Sequence, residues 1–87
     1  MIKIIEGKLY DTQTAEKIYS HSAIRIYYTL YVTKNKNYFS VGGIRDAMGK
    51  TIERGIFELH SFDHAKQLTE ENCDAEIYLK FFPATEA

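Results

Sequence analysis

One cysteine and no tryptophan occur among the 87 residues, and proline appears once, at Pro83. The lone thiol, Cys73, has no partner for an internal disulfide, so no covalent staple holds the fold and a reducing compartment is expected. No apolar run approaches the roughly 20 residues that span a bilayer as a helix. The opening Met1-Ile2-Lys3-Ile4-Ile5-Glu6 is interrupted too soon for a signal peptide. A cytoplasmic protein without a membrane partner is therefore expected. Strong charge of one sign is missing too, since the net charge is −1.

That small net charge hides a segregation along the chain. Met1 to Gly55 holds nine Lys/Arg against five Asp/Glu, a balance of +4, and Ile56 to Ala87 holds two against seven, a balance of −5. Such a division steers a charged partner if folding keeps the two groups apart. Hydrophobic residues make up 45% and aromatic residues 14%, with seven Tyr and five Phe carrying the rings, which excludes disorder. The length suits one domain, residues 1–87, that buries about 60–65% of its unfolded surface.

The stretch Ile24 to Thr33 alternates without error. Ile24, Ile26, Tyr28, Leu30 and Val32 occupy even positions, and Arg25, Tyr27, Thr29, Tyr31 and Thr33 the odd ones. Successive strand side chains point to opposite faces, so this is a strand with one face in a core and one in water. Lys34-Asn35-Lys36-Asn37 then reads as a turn into Tyr38-Phe39-Ser40-Val41. Setting Thr33 opposite Tyr38 brings Val32 to Phe39 and Leu30 to Val41 inside, and Tyr31 to Ser40 outside. Ahead of it, Ile2 to Ser20 reads as a first hairpin around Asp11 to Thr14. The favoured register pairs Leu9 with Ile18 and Tyr10 with Lys17, leaving Thr12 to Ala15 as the loop.

Gly42-Gly43 is taken to end the second hairpin. Ile44 to Gly55 follows as a long loop with one helical turn around Asp46 to Met48, and Ile56 to His60 as a short fifth strand with Phe57 and Leu59 on one face. Ser61 is a candidate N-cap and Asp63 complements the helix dipole, opening a helix to about Glu71 through Phe62, Ala65 and Leu68. Cys73 to Phe82 fits either a strand or a helix stripe by periodicity; helix is preferred, with Asn72 or Asp74 as its cap and Pro83 as its stop. The expected fold is α+β: an antiparallel sheet of two hairpins plus a short fifth strand, packed against one or two short C-terminal helices.

The phrase Lys8 to Ala15 (KLYDTQTA), with Leu30-Tyr31, Thr33-Lys34, Tyr38-Phe39, Ser61 to Leu68 and Tyr78 to Phe82, resembles a family of small uncharacterised proteins of mobile genetic elements in Gram-positive bacteria. The resemblance spans most of the chain, supports helix for the tail and implies a plasmid, phage or transposon origin. It carries no catalytic residue, and Ile44 to Arg54 has no counterpart in it.

His60-Ser61-Phe62-Asp63-His64 with Cys73 is the best metal candidate by residue type. With His60 on a strand and His64 on a helix, that spacing loses its helical meaning, so no metal or cofactor is expected. Cys73 on an apolar stripe reads as an inert thiol. No nucleophile–base set can be assembled from the sequence, and the chain has little room for a substrate pocket beside its core. A non-enzymatic protein is expected.

The expected partner-binding residues are Arg25, Tyr27, Tyr31, Lys34, Lys36 and Tyr38 on one sheet face and turn, and the acidic Glu70, Glu71, Asp74 and Glu76. The first reading is a binding protein of a mobile element that inhibits a host protein by direct contact, most concretely a defence nuclease, in an anti-CRISPR-like way. In it the carboxylates occupy a basic nucleic-acid channel and the tyrosines anchor. The alternative is an accessory module that binds nucleic acid through the basic and aromatic residues. A monomer is expected, since Lys8, Glu16 and Lys17 guard the first hairpin as the exposed sheet edge; the runner-up is a dimer through Tyr27, Tyr31 and Tyr38.

Overall fold

The computed structural model describes residues 1–87, six strands followed by two helices: β1 (Ile2–Ile5), β2 (Lys8–Asp11), β3 (Glu16–Ser22), β4 (Ile26–Val32), β5 (Tyr38–Arg45), β6 (Thr51–His60), α1 (Phe62–Asn72) and α2 (Ala75–Phe81). The fold is α+β, and every strand pairing is antiparallel. The strands form two sheets, a β1–β2 ribbon and a four-stranded sheet in the order β3-β4-β5-β6. Three layers result: ribbon, sheet and helices.

The ribbon corrects the expected first hairpin. Glu6 and Gly7 take positive φ (52° and 74°) and turn the chain back after β1, pairing Ile4 with Leu9 and Lys3 with Tyr10. Thr12 to Ala15 is a turn, as read from the sequence, but it passes from one sheet to the other. Asp11 anchors it, its carboxylate accepting from Gln13 N at 2.9 Å and its carbonyl from Ala15 N at 2.9 Å. β3 pairs with β4, setting Tyr19 beside Leu30.

The second hairpin forms between the expected segments with its register one residue away. Val32 pairs with Tyr38, Tyr31 with Phe39 and Leu30 with Ser40. Thr33 stays in the turn, where its hydroxyl accepts from Asn37 N and its carbonyl from Lys36 N, with Lys36 at φ 63°. A one-residue shift exchanges the faces of a strand. Tyr38 therefore turns toward the helices, and Phe39 toward the ribbon.

Ile44 to Gly55 is the third correction. β5 continues to Arg45 and β6 begins at Thr51, so the expected loop is a hairpin with a short turn, and the short fifth strand is the end of a ten-residue one. The Asp46 carboxylate accepts from Met48 N and Lys50 N at 2.9 Å, and Gly49 at φ 84° completes the reversal. This side-chain turn replaces the helical turn. Register shifts at Gly42/Ile44 and Ile44/Arg45, with Gly55 at φ 66°, break the alternation that identifies a strand.

The C-terminal expectations hold. Ser61 caps α1, its hydroxyl accepting from His64 N, and Asp74 caps α2, its carboxylate accepting from Ile77 N. The core between helices and sheet is Ile18, Tyr19, Leu30, Val32, Tyr38, Ala65 and Phe82. On the other face Tyr10 of the ribbon meets Phe39 and Phe57 edge-on at 5.4 and 5.6 Å, and Tyr31 stacks on Phe39 at 5.1 Å. No helix is long and apolar enough to cross a membrane.

Candidate functional site

The helices roof only part of the sheet. On β4 the even-numbered face is buried at Leu30 and Val32 and half-buried at Tyr28, yet Ile26 is 48% exposed and Ile24, just before the strand, 77%. Ile44, paired with Ile26, is 36% exposed. The strand thus runs to Ile26 beyond the roof of α1, while Ile24 and Arg25, expected within the strand, lie in the bend before it; both isoleucines face solvent where a core was expected.

Gly42 explains how a groove forms where roofed and open halves meet. A Cβ there would collide with the Tyr27 carbonyl and lie 2.7 Å from the Tyr28 Cβ, so only glycine lets β5 run this close to β4. Ile26, Tyr28 and Ile56 contribute apolar wall, and His64 and Leu68, one turn apart on α1, form the opposite bank of a cavity of about 150 Å³.

The inner end of the groove is polar. Ser40 Oγ lies 2.8 Å from His60 Nε2, and His60 Nδ1 lies 2.9 Å from His64 Nδ1. A neutral imidazole carries one N–H, so His60 donates at one nitrogen and accepts at the other. The chain of hydrogen bonds joins β5, β6 and α1. The His60 side chain is only 4% exposed, and burial pushes its pKa down; His64 adds to that, while the Glu58 carboxylate, 3.9 Å away, pulls it up. No group of three or more His, Cys, Asp or Glu side chains converges anywhere in the chain.

The expected binding residues divide among separate surfaces. Tyr38, expected on the outer face, is instead a core residue on the helix side: it is 5% exposed, 5.9 Å from the Phe62 ring and 5.7 Å from Phe82, and burial raises its pKa. Tyr31 is half-buried on Phe39. Tyr27 lies across Gly43 beneath Arg45, whose guanidinium carbon is 4.5 Å from the ring and whose Nη1 donates to the Ala23 carbonyl at 2.7 Å. Arg25 is exposed beside them, and Lys34 and Lys36 are exposed at the β4–β5 turn, the opposite end of the strand. Glu70, Glu71, Asp74 and Glu76 are exposed around the junction of α1 and α2.

Cys73 sits half-buried at the core edge, its thiol pKa raised by burial and then by Asp74, the direction of an unreactive thiol. Tyr19 and Tyr28 share a 2.6 Å hydroxyl contact, and burial leads the causes that raise the Tyr19 pKa.

Ile26, Gly42, Ile44 and Ile56 were missed as site residues, and so was Arg45. The Gly42-Gly43 doublet is the usable signal: glycines inside a strand mark close approach of another backbone. No family model, curated protein or solved structure matches this chain.

Proposed function

We propose that this chain is a non-enzymatic binding protein that docks on a partner protein through the open half of its helix-side sheet face. The observation that carries this is the exposed apolar surface of Ile26 and Ile44, continuous with the Gly42 groove. A patch of this kind, bordered by the exposed Glu53 that pairs with Ile44 from β6, joins an apolar centre to a charged rim as a protein interface does. The groove accepts a partner side chain with an apolar body and a polar tip, the tip reaching His64. Ser40, His60 and His64 act here as a strut between three elements.

The finer reading is an inhibitor of a host defence nuclease, carried on a mobile element and acting in the cytoplasm. It draws on the sequence resemblance and on charge. The one ion pair within 4.0 Å is His60–Glu58, so Glu70, Glu71, Asp74 and Glu76 have no Lys or Arg partner within the chain and are available to a basic nucleic-acid channel. The alternative, a nucleic-acid accessory module, draws on Arg45 over Tyr27 with Arg25 beside it, a cation–aromatic platform on which a base can stack.

DNA cleavage by a panel of RNA-guided nucleases, with the chain added at stoichiometric concentration, tests the first reading. Loss of cleavage by at least one nuclease, restored by the pair Ile26→Asp and Ile44→Asp, is expected. Full cleavage across the panel, or inhibition that survives both substitutions, overturns it. A salt-sensitive gel shift with the chain alone, lost in Tyr27→Ala, supports the alternative instead.

A further inference from the structure

We propose a phosphate-binding cleft at the β4–β5 turn end of the molecule, remote in sequence from the Gly42 groove and independent of the protein-docking reading. Three connections meet there: the β1–β2 turn, the β2–β3 loop and the β4–β5 turn enclose a cleft of about 650 Å³. Lys8 enters from β2 and Lys34 from the β4–β5 turn, and no carboxylate is among the lining residues. Neither ammonium has an ion-pair partner. Two like charges on one cleft repel, and a bound anion relieves the repulsion while neutralising both.

The polar groups around them suit an oxyanion. Thr14 brings a hydroxyl, and Asn35 and Asn37 bring side-chain amides that donate. The walls are formed in advance. The β4–β5 turn is closed by Thr33 N to Asn37 O at 2.9 Å and by Lys36 N to Thr33 O at 3.0 Å, and the β2–β3 loop by three N–H groups donating to Asp11. Binding then orders mainly the two lysine side chains, which limits its entropic cost. A single phosphate underfills a cleft this large, whereas a phosphate with an attached organic body suits it. The chemistry is shared by a free nucleotide and by a nucleic-acid phosphodiester.

Inorganic pyrophosphate, adenosine triphosphate and a thymidine octamer are titrated separately against ¹⁵N-labelled full chain. Saturable amide shifts confined to residues 7–10, 14–15 and 33–37 are expected with at least one probe. The double variant Lys8→Glu with Lys34→Glu weakens that binding by about tenfold or more, as the loss of charge-assisted hydrogen bonds requires. Lys50→Glu, at the opposite end of the sheet, leaves it unchanged. Tighter binding of the octamer than of the nucleotide assigns the phosphodiester, and the reverse order assigns the nucleotide. No saturable shift up to about 10 mM of any probe, shifts centred on Arg25 and Arg45, or equal weakening by Lys50→Glu overturns the proposal.

Discussion

Single residues decide which surfaces this chain shows. Tyr38 and Phe39 are adjacent large aromatics, and either can serve a core. Polarity in the sequence gives no reason to send one to the helices and the other to the ribbon. The structure uses both, burying Tyr38 to 5% and Phe39 completely. His60 was legible as a strand residue next to a helical His64, but its contact with Ser40 depends on the one-residue register that polarity could not resolve. Because His60 is buried with a lowered pKa, protonation favours the unfolded chain. Its contribution is therefore fully present above the unfolded value near 6.5 and is lost as pH falls through the lower folded value. Ser40 and His64 contact the ring and Glu58 opposes the shift. Urea unfolding from about pH 7.5 to about pH 5 should show stability falling, with a shallower fall in His60→Gln. An identical slope in the variant contradicts this account of His60.

At the scale of elements, legibility followed the regularity of the backbone. α1 and α2 were readable because a cap, a helical stripe and a stop agree, at Ser61, Asp74 and Pro83. β4 was readable because seven residues pair without a shift on its β5 side. β6 was half hidden, since two register shifts and a left-handed Gly55 scramble the period-two pattern. The ribbon is hidden in the sequence because the two-residue Glu6-Gly7 turn competes with the stronger turn signal at Asp11 to Thr14, and both turns form. Its attachment is narrow: Tyr10 reaches Phe39 and Phe57, and the Lys3 ammonium lies 5.0 Å from the Phe57 ring. Tyr10→Ala should release the ribbon as a unit. Hydrogen exchange would then show lost protection at Ile2–Ile5 and Lys8–Asp11, with β4 and β5 protected as before. Uniform loss across all six strands would instead make the ribbon part of one cooperative core.

Across the whole molecule, the shape agrees with a sheet longer than its roof. The radius of gyration is 13.9 Å, where a compact chain of this length has about 12 Å. The molecule measures 43 × 33 × 19 Å, and 12 of its 87 residues are buried, a small core for so long a sheet. The dimer imagined through Tyr27, Tyr31 and Tyr38 has no such face, because Tyr38 lies on the opposite side of the sheet from Tyr31. The edges of the four-stranded sheet are β3 and β6; Glu16 and Lys17 are exposed at the start of β3, while Lys8 belongs to the ribbon.

The central claim is that the open half of the helix-side face is apolar, accessible and reserved for a foreign partner. Solvent paramagnetic relaxation of the isoleucine δ1 methyls, recorded on the free chain at near-millimolar concentration, tests it most directly. The account predicts strong relaxation at Ile24, Ile26 and Ile44 and protection at Ile18, which is 5% exposed. Protection of Ile26 and Ile44 to the level of Ile18 would mean that the face is already covered by a second copy of the chain, and would contradict the claim.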